Sequence, residues 1–264
     1  MCITVNPTTV QNKTVLIYLN CENGRAIFGY KAPEFTNKSG HQINYLVFLL
    51  PTTSKITPID VKETNLLKII NNIGPAVVGR SGIIDKSIPK QTFKNNQYDV
   101  EIYDYKEIDS LKLAMLSDKH KQLLKRVVNS ANTYVHKKYH DQFTIIVAKW
   151  DGTKAEESML LFSFEPNDFA IDKFYIPLVD SHDDDAINEM RDTDHMLLTN
   201  GEIRTNGLGD ESNWGQNTLN RELFPNVRVG NYEFEEYHIM PLIGNNPNGD
   251  FLYMKGDKNP IVLF

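Results

Sequence analysis

Tyr175-Ile-Pro-Leu-Val-Asp-Ser-His-Asp-Asp-Asp185, carried on to Arg191-Asp-Thr-Asp-His-Met-Leu-Leu198, is the stretch on which the reading of the fold turns. It reads as an apolar strand ending in Asp180 and His182, an acidic loop, and a second strand opening with Asp194 and His195. Two histidines and six aspartates within sixteen residues form the densest set of ionisable groups in the chain. Strands joined by such a loop pair most simply as an antiparallel hairpin. His182 opposite His195 would then project from one sheet face.

Upstream of this stretch, residues 143–149 and 159–164 are β-rich, and with residues 174–179 and the His195 strand they are expected to make one continuous antiparallel sheet. Ser117 is a plausible N-cap for a helix from Asp118 to about Lys138, with Leu123, Leu124, Val127, Val128 and Ala131 on one stripe. His120, His136 and His140 sit around this helix without a ligand spacing and read as surface histidines. Near the N-terminus, Asn23-Gly24 between two β-rich runs signals a hairpin, within what reads as a meander over the first fifty residues. Residues 63–73 predict a short helix stopped by Gly74-Pro75. Residues 76–97 carry loop signals with one short strand and are the best candidate for a mobile or interaction segment. Beyond Thr199 the chain is polar and glycine-rich, then regains β character from Val227 onward. The expected architecture is α+β: mainly antiparallel β-sheet with one long amphipathic helix and one or two short ones, in a single domain over 1–264 with a possible subdivision near 200.

Composition narrows the class. The 264 residues are 41% hydrophobic and 23% charged, ordinary for a globular protein. A formal net charge of −6 argues against nucleic acid as the main partner. No apolar run approaches the roughly 20 residues that span a bilayer, and the N-terminus lacks a signal-peptide pattern. Cys2 and Cys21 are the only cysteines, so the cytoplasm is the expected compartment and a disulfide scaffold is excluded. A protein partner remains open.

Met1-Cys2, Arg25 to Tyr30, Leu49-Leu50-Pro51, Ile59-Asp60, residues 174–177, His182-Asp183 and Asp194-His195 occur in an order and spacing that resembles a group of bacterial proteins of unknown function. Members begin Met-Cys, carry Leu-Pro-x-Pro, and later show Pro-x-x-x-x-His-Asp-Gly and Asp-His. The resemblance covers residues 1–200, departs at Thr53 and Asp184, and implies that Cys2, His182 and His195 lie together.

Three chemistries fit those residues. Cys2, exposed by methionine removal, could act as a thiol nucleophile with His182 or His195 as base and Asp180 or Asp194 orienting the ring, giving a small hydrolase or amidase-like enzyme. His182, His195 and one of Asp180, Asp183 or Asp194 could hold zinc or iron. Alternatively the Asp/His pairs lock a hairpin by hydrogen bonds in a non-catalytic, interaction-mediating protein. Asp183 to Asp185 alone read as a solvated loop tip.

Overall fold

Asn23-Gly24 closes a hairpin in which Thr14–Asn20 pairs antiparallel with Ala26–Lys31. Gly24 sits at φ 78°, the left-handed region that glycine enters without a Cβ penalty, and Cys21 N–H donates to Arg25 O at 2.7 Å. The computed structural model describes residues 3–4, 8–10, 14–31, 35–37, 43–71, 89–96, 98–109, 116–135, 140–151, 159–179, 181, 189–201, 224–254 and 261–263.

That hairpin is the middle of a six-stranded sheet in the order His238–Pro247, Met190–Thr199, Thr14–Asn20, Ala26–Lys31, Met159–Phe164, Thr57–Pro58. All its pairings are antiparallel except Met190–Thr199 with Thr14–Asn20, which run parallel. A five-stranded sheet follows the order Ile3–Thr4, Ile43–Leu50, Thr144–Asp151, Tyr98–Asp104, Gln91–Asn95. Lys173–Ile176, Asp250–Met254 and Ile261–Leu263 make a third, three-stranded sheet, and two small ribbons complete the β structure of the described residues.

Side-chain alternation explains the stacking. Leu16 and Tyr18 enter one core, while Val15, Ile17 and Leu19 enter a second on the opposite face of the six-stranded sheet. In the next strands Phe28 and Phe162 take the first core, Ile27 and Leu161 the second. The middle of this sheet is therefore buried on both faces, which is why Val15-Leu-Ile-Tyr-Leu19 and Met159-Leu-Leu-Phe162 run without a polar phase. Each fully buried large apolar side chain contributes about 1.5–3 kcal/mol, so neither parity tolerates a polar residue cheaply. The Phe48 ring of the five-stranded sheet lies 5.4 Å from that of Phe28 and 5.1 Å from that of Tyr30, joining the two large sheets. The second core is closed by Leu66, Ile69 and Ile70 of the helix Leu66–Asn71 and by Val227, Val229 and Phe234. Gly29 faces this second core, and a Cβ there would lie 2.9 Å from Ile17 Cδ1 and 3.0 Å from Leu161 Cδ1; its absence lets three strands close up.

The α+β expectation is corrected. Eighteen strands against two α-helices among the described residues make this a mostly β protein. Its sheets bury one another, so the helices are accessories to a stacked-sheet core and not one of its two layers. The helix Asp118–Val135 contributes Leu123, Leu124, Val127, Val128 and Ala131 to the first core. His120, read as a surface residue, is buried near its start. The expected meander is also broken, because Ile43–Leu50 belongs to the five-stranded sheet and pairs with Thr144–Asp151.

Candidate functional site

The strands flanking the acidic loop do not pair with each other. Lys173–Ile176 pairs with Asp250–Met254 in the three-stranded sheet. Met190–Thr199 lies in the six-stranded sheet between Thr14–Asn20 and His238–Pro247. This overturns both the hairpin and the continuous sheet expected from the sequence. The reason is that period-2 patterning specifies which residues face a core but not which strand supplies the neighbour. His195 is buried, in register with Thr14 on one side and Leu242 on the other. The Asp194 backbone pairs with Ile243 in the same ladder. Cys2, Asp180, His182 and Asp183 lie outside the described residues. Among the described residues no three His, Cys, Asp or Glu side chains gather as a metal-ligand set. Cys21 is buried beside the hairpin turn, and burial pushes its thiol up to about 12 against the pull of Arg25, the opposite of an activated nucleophile.

Where the chain enters the acidic loop it is held by a residue that sequence reasoning passed over. Asp250, fully buried at the start of its strand, accepts hydrogen bonds from the Tyr175 hydroxyl, from Leu178 N–H at 2.8 Å and from Val179 N–H at 2.9 Å. Burial raises its carboxyl to about 6, while the bonds from Tyr175, Val179 and Leu178 pull the other way. The same burial, with the Asp250 charge alongside, drives the Tyr175 phenol well above its ordinary value. The far side of the loop is tied by Asn248 N–H to Glu189 O at 2.8 Å, and Asn246 Nδ2 donates to Thr193 Oγ1 at 2.5 Å. Leu178, Thr193, Leu242, Asn246, Pro247 and Phe251 line a small crevice between these ties. The one sequence signal of Asp250 is its place directly ahead of the apolar run Phe251-Leu-Tyr253.

A second polar construction joins the two large sheets along their edges. The arm of residues 51–61 leaves the five-stranded sheet and runs beside Met159–Phe164, with Thr57–Pro58 pairing there and Ile59 N–H donating to Leu161 O at 2.9 Å. The edge strand Gln91–Asn95 grips this arm through carboxamides. Gln91 Nε2 donates to Ile56 O at 2.7 Å and Asn95 Nδ2 to Ile59 O at 3.0 Å, while Asn95 Oδ1 accepts from Leu161 N–H at 2.5 Å. Asn96, at φ 56°, sends Nδ2 to Met159 O at 2.7 Å and accepts from Val61 N–H at 3.1 Å. One residue before the strand, Lys90 Nζ reaches Asp104 Oδ1 at 2.7 Å and Thr53 O at 3.2 Å. The described part of the 76–97 segment is therefore a pinned edge strand; its residues 76–88 and 97 lie outside the described residues.

No protein-family model and no curated protein matches the chain. Among solved structures, the crystal structure of baculovirus P35 superposes with a TM-score of 0.53 at 10% identity, covering 96% of this chain and 99% of that one. The fold is similar to that of P35. A mutated P35 after caspase cleavage matches at 0.49 with 10% identity over 92% of this chain and 99% of that one, and P35 in its complex with caspase-8 at 0.39 with 12% identity over 95% and 90%. No described helix is long and apolar enough to cross a membrane, which says nothing of a β-barrel.

Proposed function

We propose that this chain is a protein-binding, non-catalytic molecule that engages a caspase-type protease, with the 76–97 segment as its contact. The observation that carries this reading is the fold shared with P35 over nearly the whole length of both chains. P35 is found complexed with caspase-8, and a mutated P35 is found after caspase cleavage. Two features of this chain support it. The described end of the segment is rooted in a polar seam between two sheets, the rigid support that a recognition loop needs. Asp85 is the one carboxylate between Asn72 and Ile88, so a protease pocket that reads an acidic side chain has one position to take there.

The test mixes purified full-length chain with caspase-8 and follows peptidase activity, complex formation and chain cleavage by mass spectrometry. The expected result is a stable complex, loss of peptidase activity, and a cut after Asp85, with D85A losing at least tenfold in inhibition at unchanged thermal stability. Absence of binding at about 10 μM, where a contact weaker than about 7 kcal/mol would escape detection, together with an uncut chain, overturns the reading.

A further inference from the structure

The carboxamide seam does more than cohesion requires. Two sheet edges could be held together by apolar side chains, which tolerate small slips; carboxamides that each bridge a backbone N–H and a backbone C=O are satisfied at one register only. Asn95 is buried and spends its whole side chain in this way, on Ile59 O and Leu161 N–H. Asn96 occupies a left-handed conformation that glycine would fill at no cost, yet it carries a side chain that spans Met159 O and Val61 N–H. Both residues bond the same two elements, the arm and the strand Met159–Phe164.

We infer that Asn95 and Asn96 are positioning residues for partner engagement, keying the edge strand Gln91–Asn95 to the arm at one register and so fixing the base from which the contact segment is presented. The inference rests on the proposed engagement of a caspase-type protease. A partner seated on the segment loads this edge strand, and an edge strand has a ladder on one side only. The carboxamides supply the missing side. With them in place the strand cannot peel away as the partner pulls; without them the segment yields and the partner escapes, so the effect falls on dissociation.

The experiment compares full-length wild type, N95A, N96G and a stability control, G201A, each bound to caspase-8 and chased with excess peptide substrate. N96G keeps the left-handed backbone and removes only the side-chain bonds. Gly201 packs against the Phe174 ring, outside the seam, so G201A lowers stability without touching it. At a temperature where circular dichroism shows all four folded, N95A and N96G are expected to dissociate at least tenfold faster than both wild type and G201A. Dissociation that is unchanged in N96G, or that rises equally in N96G and G201A, overturns the positioning role while leaving the proposed function standing. Wild type that forms no complex removes the functional reading and this inference with it.

Discussion

Replacing Asp250 with asparagine tests the buried anchor of residues 178 and 179. The carboxyl is raised from 3.8 to about 6 because burial disfavours its charge more than three donors favour it. A shift of about two units corresponds to about 3 kcal/mol, at about 1.4 kcal/mol per unit. A carboxyl whose folded pKa lies above its unfolded pKa gives its full stabilisation below the unfolded value, near pH 4, and loses it as pH rises through about 6. Asparagine keeps an acceptor for Leu178 and Val179 N–H and can donate to the Tyr175 oxygen, but never ionises. Measured by denaturant unfolding, D250N should therefore gain on wild type by about 2–3 kcal/mol between pH 4 and pH 7.5, with equal m-values. D250A should destabilise at both pH values. It leaves two backbone N–H groups and a phenol buried without an acceptor, at about 1–3 kcal/mol each, and at pH 7.5 only part of that is offset by the charge removed. A wild-type-minus-D250N difference that stays constant with pH would refute the reasoning, because it would mean that the three donors hold the carboxylate ionised in its ordinary range.

Two further outcomes follow from packing. Gly201→Ala places a Cβ 2.3 Å from Phe174 Cζ, so the ring must move within a filled core; about 1–3 kcal/mol of stability should be lost, and a Tm within a degree of wild type would contradict the geometry. Cys21, buried with its thiol raised to about 12, should resist iodoacetamide at pH 8 in the native state and react once urea unfolds the chain. Equal native and unfolded rates would show that the hairpin turn opens locally.

Local grammar was readable from the residues. Asn23-Gly24 marks its hairpin because few residues accept a positive φ, and Tyr98–Asp104 alternates because one of its faces is buried. Partner choice was not readable. Met159–Phe164 and Thr144–Asp151 are adjacent in sequence and look alike, yet they lie in different sheets, because both faces of the central sheet are buried and many apolar strands fit it equally by pattern. The candidate site was hidden for a related reason. Asn95, Asn96 and Asp250 are ordinary turn-forming residues until tertiary structure brings backbone groups to them. Cys2 and His182 attracted the functional reading through their reactivity, which says nothing about which elements a chain brings together.

The parallel pairing of Met190–Thr199 with Thr14–Asn20 has a consequence for how the chain emerges from the ribosome. Thr14–Asn20 has its hairpin neighbour at once, but its other neighbour, Met190–Thr199, follows about 170 residues later. At about 5–20 residues per second, the bare edge of a largely apolar strand stands open for roughly 10–30 s of synthesis. Nascent chains that stall within that window expose a template for β-pairing between molecules. Chaperone demand should therefore peak before residue 190 has cleared the exit tunnel and fall once the parallel strand docks.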